Sequence, residues 1–141
     1  MTRGSSAPAG SGGGGIDSYG ATILRIALGI IYIGHGYLAL FVYGPRGTAA
    51  FQRSLGLPLP EIGAWYVILA HGVGGALLLL GLWTRWAALV NLPIMAGAFF
   101  LVHLKQGFFM GSQGGYEFVL LVLAATLAQV FLGSGALALR R

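Results

Sequence analysis

The chain has 141 residues, of which 57% are hydrophobic and only 8% are charged. A water-soluble domain carries about 25% charged residues, so the composition excludes an ordinary soluble enzyme and favours a protein surrounded by lipid. The formal net charge is +5, but the basic residues form no dense patch, which argues against nucleic acid as a partner. There is no cysteine, so the chain itself can neither form a disulfide nor do thiol chemistry.

The N-terminal stretch MTRGSSAPAGSGGGG is rich in glycine, serine and alanine. It lacks the apolar core that a secretion signal needs, and it has too few apolar residues to fold by itself. We therefore predict a flexible N-terminal tail over residues 1–19, a membrane domain over residues 20–135 and a short basic C-terminal tail over residues 136–141.

Four apolar stretches follow in chain order, at residues 21–43, 62–82, 86–104 and 116–132. Each is about long enough to cross a hydrocarbon core of ~30 Å. The connection at residues 81–85 is so short that the second and third helices must form an antiparallel pair. The sequence therefore predicts an all-α integral membrane protein, a four-helix bundle.

Two further features refine this bundle. Within the one long connection, the segment TAAFQRSLG is predicted to be a short amphipathic piece on the membrane surface. Small residues at which helices can approach closely recur in the first three spans, and they are Gly29, Gly34, Gly36, Ala70, Gly74, Gly75 and Gly97.

An even number of spans puts both termini on the same side of the membrane. That side carries five basic residues, Arg3, Arg25, Arg85, Arg140 and Arg141, whereas the other carries three, Arg46, Arg53 and Lys105. The positive-inside rule then places both termini in the cytoplasm. We interpret Arg25 and Arg85 as anchors whose charged ends reach out to the inner boundary of the membrane.

Ionisable side chains fall in the outer half of the bundle, one on each span: His35, His71, His103 and Glu117. At ~1.5 Å per residue, His35 lies roughly 12 Å and His71 roughly 15 Å from the outer helix ends. Such groups are costly in hydrocarbon and normally face one another or a wet cavity. We therefore predict that they form a polar cluster, with Tyr37, Tyr66 and Tyr116 at similar depths as secondary members.

Several roles for this cluster remain open at this point. It can be interhelical hydrogen-bond glue, worth about 0.6 kcal/mol per pair, or a pocket in which the side chains bind the carbonyl oxygens of a quinone or another small molecule. Three imidazoles and a carboxylate also suit a metal ion, two histidines suit haem, and a polar chain suits proton conduction. The spacing marks no metal or haem site, so we assign no metal ligand and no catalytic residue.

Five segments occur in order between residues 21 and 135: HGYLALF, GTAAFQRSLGLPLP, GGALLLLGLWTRWAAL, VHLKQGFF and GGYEFVLLVLAA. Together they resemble the DoxX family of small four-helix bacterial membrane proteins. The resemblance implies a multi-pass protein of the bacterial cytoplasmic (inner) membrane that is linked to redox or sulfur metabolism. One named branch is a subunit of a thiosulfate–quinone oxidoreductase, and another associates with oxidative-stress enzymes. His35, His103 and Glu117 match the family pattern.

The chain departs from that pattern at two positions. The family typically has lysine where this chain has Ala39 and glutamate where it has His71. The resemblance implies that such a lysine and glutamate neutralise each other, and here both are missing. The chain also ends in GSGALALRR, without the family's frequent serine–aspartate ending. These departures argue against an activity that depends on a lysine–glutamate pair.

We therefore expect an accessory membrane subunit of a quinone-linked redox complex. It is not catalytic alone, because no flavin or nucleotide motif is present. The alternative is a non-catalytic scaffold that packs against a larger membrane complex, and a transporter is less favoured because no inverted repeat is visible. The expected partners are the lipid bilayer and other membrane subunits or further copies of the chain, and a quinone is favoured over a metal or haem as the cofactor.

Overall fold

The computed structural model describes residues 15–139, and within that range the protein is all-α, as the sequence predicts. It contains five α-helices, α1 (Ile16–Tyr37), α2 (Gly44–Ser54), α3 (Pro60–Leu80), α4 (Thr84–Gly97) and α5 (Glu117–Leu132). A π-helical segment, Leu38–Val42, prolongs α1. A second one, Ala98–His103, and a 3-10 turn, Leu104–Gln106, prolong α4.

Among the described residues, three stretches are long and apolar enough to cross a membrane, namely Ile16–Val42, Pro60–Leu80 and Thr84–Gln106. Helix α5 is also apolar but has only 16 residues, or about 24 Å at 1.5 Å per residue. This is shorter than a hydrocarbon core of ~30 Å. A fourth crossing by α5, and the cytoplasmic position of the termini, therefore stay predictions.

The four longest helices pack as a ring around one core. Helices α1 and α4 each contact both α3 and α5. The core side chains come from all four helices, and they are Leu28, Tyr32, Leu78, Ala87, Ala88, Met95, Val119 and Val122. Helices α3 and α4 are joined by three residues, the first of which is Gly81. The φ of Gly81 is 72°, a left-handed conformation that glycine adopts without strain. This short turn makes α3 and α4 the predicted antiparallel pair.

Glycine lets α1 and α3 touch backbone to backbone. A Cβ atom added to Gly29 would lie 2.8 Å from the Leu79 nitrogen, and one added to Gly36 would lie 2.7 Å from the Gly72 nitrogen. Real Cβ atoms do not approach so closely, so both positions exclude any side chain. In contrast, Gly34 and Gly97 face open space. Only some of the small residues predicted from the sequence to lie between helices are therefore at a helix contact.

The predicted amphipathic piece in the long connection is α2, which packs on α3 and on the π-helical end of α1. Its buried face carries Ala49 and Gln52. The Thr48 hydroxyl donates a hydrogen bond of 2.9 Å to the Ala39 carbonyl, so the start of α2 is attached to the end of the α1 segment. Arg53 forms an exposed ion pair with Glu61 in the first turn of α3.

Both ends of the predicted domain need correction. Helix α1 begins at Ile16, before the predicted boundary at residue 20, and residues 1–14 of the predicted tail lie outside the described residues. Residues 136–139 do not form a separate tail. The Ala136 amide donates to the Ser18 carbonyl (2.9 Å) and the Leu139 amide to the Leu80 carbonyl (3.2 Å). Arg140 and Arg141 again lie outside the described residues.

The interpretation of Arg25 as an anchor that reaches the membrane boundary is wrong, because only 2% of the residue is exposed. All five of its N–H groups donate to backbone carbonyls: Nε to Ser134, Nη1 to Leu78 and Leu79, and Nη2 to Ala136 and Leu137. The carbonyls at the C-terminal end of α3 attract a cation, so the guanidinium is stabilised inside the protein. Arg85, by comparison, is exposed.

Candidate functional site

The most buried of the predicted site residues is His71, in the middle of α3. Its Nδ1 atom lies 2.6 Å from Oδ1 of Asn91, a residue of α4 with no exposed surface. Both N–H groups of the Asn91 amide donate to backbone carbonyls, those of Ala70 (2.9 Å) and Ala87 (2.8 Å). The Asn91 oxygen therefore accepts from His71, which means that Nδ1 of His71 carries a proton and that Nε2 is left for another partner.

Tyr32 of α1 connects this pair to α5. Its ring stacks on the His71 ring at 4.9 Å between centroids. Its hydroxyl lies 2.5 Å from the Thr126 hydroxyl, which itself donates to the Val122 carbonyl. Because the Thr126 proton is used in this way, Tyr32 is the donor to Thr126. Tyr32, His71, Asn91 and Thr126, which we call the His71 network, thus link α1, α3, α4 and α5.

His35 lies at the edge of the His71 network. It is an exposed residue of α1, and its ring centroid is 6.2 Å from that of His71, with the two rings nearly perpendicular. Its Nδ1 atom lies 2.9 Å from the Ile31 carbonyl, an acceptor, so Nδ1 is the donor there. The structure thus brings together His35 and His71, two of the predicted site residues.

The other two predicted ionisable residues have separate, local partners. Nδ1 of His103 lies 2.8 Å from Oε1 of Gln106, three residues further along the chain. The Glu117 carboxylate accepts a hydrogen bond of 2.6 Å from the Met110 amide, and the Glu117 amide donates to the Phe108 carbonyl. Glu117 therefore closes the loop before α5. Within residues 15–139, no group of three His, Cys, Asp or Glu side chains is placed to hold a metal ion.

The three predicted tyrosines also lie apart. Tyr37 is exposed and its ring is 5.3 Å from that of Phe41. The Tyr116 ring packs edge-on against Phe99 and Phe108, near Glu117. The Tyr66 hydroxyl donates a hydrogen bond of 2.5 Å to the Val90 carbonyl, which joins α3 to α4.

Tyr66 also lines an open cleft of about 420 Å³ between α2, the first turns of α3 and the C-terminal end of α4, which we call the α2 cleft. Its lining residues include Val67 and Ile94. Val67 precedes His71 by four residues, and Ile94 follows Asn91 by three. Residues three or four apart are neighbours on a helix face, so part of the lining of the α2 cleft lies one helical turn from the His71–Asn91 pair.

Sequence reasoning missed Tyr32, Asn91 and Thr126, because it considered ionisable residues and the tyrosines near the outer boundary. A usable signal was present for Asn91, since an amide inside an apolar stretch of a membrane helix must find a partner. Tyr32 precedes His35 by three residues, the spacing of neighbours on one helix face. Nothing in the sequence marked Thr126 more strongly than other hydroxyl residues.

Comparison with known proteins adds to this picture. The model of the DoxX family matches residues 20–104, which include all but the first four residues of α1, then α2, α3, α4 and both π-helical segments. The chain belongs to the DoxX family. It is therefore a membrane protein, in agreement with its apolar helices.

Two curated relatives are similar over most of their length. One is the protein named "Putative oxidoreductase CatD" of Bacillus subtilis (strain 168), which is 35% identical over 120 residues, or 85% of this chain and 84% of that protein. The other is an uncharacterized protein of Haemophilus influenzae, 35% identical over 123 residues, or 86% of this chain and 88% of that protein. No solved structure matches the chain significantly.

Proposed function

We propose that the protein is an accessory membrane subunit of a quinone-linked redox complex in the bacterial cytoplasmic membrane. Its membership of the DoxX family and its similarity to a protein named as an oxidoreductase support a redox role. The absence of cysteine and of a recognisable flavin or nucleotide motif means that a partner subunit supplies the electrons.

The pairing of His35 with His71 carries the proposal. A quinone that accepts two electrons also takes up two protons to become a quinol. Histidine is the side chain best suited to exchange protons near neutral pH. His71 uses Nδ1 on Asn91 and keeps Nε2 for a further partner, while the exposed His35 ring lies 6.2 Å away. In the proposed mechanism these imidazoles hand protons to the quinone, and the partner subunit supplies the electron pair.

The other predicted site residues take lesser parts in this proposal. Tyr66 contributes its ring to the wall of the α2 cleft, where it would face a bound molecule. His103, Glu117 and Tyr116 shape the outer loop, because their polar or aromatic contacts lie within residues 99–117. Tyr37 is a contact residue for lipid or for a neighbouring subunit, since it is 58% exposed.

One observation favours the alternative, a non-catalytic scaffold that packs against a larger complex. A scaffold needs its buried polar groups to be satisfied internally. Among the buried side-chain polar atoms of residues 15–139, Oε1 of Gln129 is the one without a hydrogen-bond partner. The buried Arg25, Asn91 and Thr126 all fulfil the scaffold requirement.

Native purification in mild detergent, followed by mass spectrometry of co-eluting proteins, tests the proposal. We expect stoichiometric partners that contain a flavin, haem or iron–sulfur centre and that reduce quinone when this chain is present. Partners without a redox group would favour the scaffold, and the recovery of this chain alone would contradict both.

The variant His71→Gln then tests the proton role. Glutamine keeps an N–H donor for Asn91 but removes the imidazole, so the complex should assemble while quinone reduction slows by about 10²-fold, a typical effect of losing an acid–base group. His103→Gln, the same change outside the pair, should leave the rate unchanged. Equal rates in both variants would contradict the role of His71.

A further inference from the structure

The α2 cleft has the size of a ligand site. Its volume of about 420 Å³ lies within the range of about 300–1,000 Å³ that is usual for small-molecule pockets. Helix α2 packs on α3, and the outer part of α4 forms the opposite wall, with Gly97 and the π-helical residues Ala98, Leu101 and Val102. π-helical turns are rare and occur frequently at functional sites.

The free polar group of the α2 cleft is the amide of Gln52. This residue is only 8% exposed, it lines the cleft, and its amide has no hydrogen-bond partner in the part of the chain that the structure describes. The amide oxygen lies against Gly63, where a Cβ atom would overlap it. The amide atoms of Gln52 are not fully enclosed, since Gln129 Oε1 is the buried side-chain atom that lacks a partner among the described residues, so the Gln52 N–H groups are free to donate to a ligand in the cleft.

The remaining lining of the α2 cleft indicates a neutral ligand with a flat ring. None of its lining residues is charged or a histidine, so an ionised ligand would find no counter-charge. Four ring-bearing side chains line it, and they are Phe51, Pro58, Tyr66 and Pro93. Aromatic faces favour planar rings over saturated chains. The combination of flat apolar walls with a single free hydrogen-bond donor suits a planar ring that bears carbonyl oxygens.

We propose that the α2 cleft binds the ring of a prenylated quinone, with one ring carbonyl accepting a hydrogen bond from Nε2 of Gln52. The assignment rests on the proposed function, because it names the place where the quinone of that complex is held. Gln52 lies against Gly63, while the lining residues Val67 and Ile94 lie one helical turn from the His71–Asn91 pair. The opposite ring carbonyl therefore points towards the side chains that exchange protons in the proposed mechanism.

The test uses the full chain in phospholipid nanodiscs without partner subunits, titrated with a benzoquinone that carries one isoprene unit. Gly97→Leu fills the cleft, because a Cβ at Gly97 meets no atom within 4 Å. We expect it to abolish binding. Gly20→Leu is the matched control, because Gly20 also faces open space but lies near the start of α1, outside the α2 cleft. Binding in that control should equal the wild type.

Gln52→Leu provides a second variant, which removes the donor and adds no bulk. We expect the dissociation constant to rise about 5- to 10-fold, the equivalent of one lost hydrogen bond. Gln113→Leu, an exposed position in the loop before α5, should bind like the wild type. Unchanged affinity in both Gly97→Leu and Gln52→Leu would overturn the proposal.

The molecule that remains bound to the protein through purification shows whether the cleft holds a quinone or an acyl lipid. Mass spectrometry should detect quinone in the wild type and in Gly20→Leu but not in Gly97→Leu. A phospholipid that is lost in Gly97→Leu and is not displaced by the added quinone would overturn the quinone assignment. Since no partner subunit is present, this result is independent of native purification: a redox complex with an empty cleft would refute this site and leave the proposed function standing.

Discussion

Asn91 shows how a single polar residue connects helices inside an apolar bundle. Its amide uses both N–H groups on the Ala70 and Ala87 carbonyls, and its oxygen accepts from His71. A buried amide costs free energy unless it is hydrogen-bonded. The same residue therefore holds α4 against α3 and fixes which nitrogen of His71 is protonated. Removing the Asn91 side chain therefore affects both the packing of α4 on α3 and the protonated nitrogen of the His71 imidazole.

A double-mutant cycle measures this connection, with Asn91→Leu, His71→Phe and the combined variant. We expect Asn91→Leu to lower the free energy of unfolding by about 1–3 kcal/mol, because it leaves the His71 donor unpaired in the core. The coupling between the two positions should be about 0.5–2 kcal/mol. Unfolding by denaturant in detergent micelles gives both values.

The control for this cycle is the pair His103 and Gln106, which also joins an imidazole to a side-chain amide but is exposed. The changes His103→Phe and Gln106→Leu should show a coupling close to zero, because water and headgroups replace the lost bond. Purely additive effects at His71 and Asn91 would refute the proposed link between α3 and α4.

At the level of helices, the contact between α1 and α3 depends on glycines at particular positions. A Cβ atom added to Gly29 or Gly36 on α1, or to Gly75 on α3, would lie less than 3.0 Å from a backbone atom of the other helix. In lipid, where the hydrophobic effect does not drive helices together, such close packing is a main source of association. The pair should therefore be sensitive to single methyl groups.

Gly36→Ala and Gly34→Ala provide a matched comparison on one helix. A methyl group at Gly36 would meet Gly72 at 2.7 Å, whereas one at Gly34 meets nothing within 4 Å. We expect Gly36→Ala to destabilise the protein by about 1–3 kcal/mol through overpacking. Gly34→Ala should be neutral or stabilising by up to about 1 kcal/mol, because alanine favours helix. Thermal unfolding in detergent compares them, and similar stabilities would contradict this helix contact.

The same comparison explains what the sequence can predict. Long apolar runs determine where helices begin and end, and the bounds of α3, and of α4 together with its π-helical extension to His103, lie within about two residues of the expected ones. The rotation of each helix is less well encoded, since a membrane helix is apolar on nearly all sides. Gly34 and Gly36 look alike in the sequence, yet only Gly36 meets α3. Likewise, the expected depth of His103 in the membrane did not show that its side chain contacts Gln106 and not His71.

Over the whole molecule, Arg25 holds together parts that are far apart in the chain. Its side chain belongs to α1, two of its acceptors end α3, and the other three lie in residues 134–137. The sequence did not reveal this arrangement, because an arginine near a helix start usually reaches out to the headgroups. The acceptors are backbone carbonyls, which every residue carries, so no residue type in the sequence marks them.

Truncation after Gly133 and the substitution Arg25→Met test this arrangement together. Truncation leaves three of the five Arg25 N–H groups without acceptors, and a buried charge without partners is strongly destabilising. We expect each change alone to lower the free energy of unfolding by more than about 2 kcal/mol. Since they break the same contacts, the combined loss should be clearly smaller than the sum.

Unfolding by denaturant in micelles measures these losses, with Arg85→Met as the control. Arg85 is exposed, so its replacement should change stability by no more than about 0.5 kcal/mol. Additive losses for the truncation and Arg25→Met would show that the C-terminal segment and Arg25 act independently.

The position of these carbonyls also determines the order in which parts of the protein can assemble during biosynthesis. Arg25 enters the membrane with the first helix, while three of its acceptors, at residues 134–137, are translated more than 100 residues later. Until then the guanidinium lacks most of its partners and must remain near headgroups or water. The first helix can therefore reach its final depth only after α5 and the residues that follow it have been made, so the bundle assembles as one unit and not helix by helix.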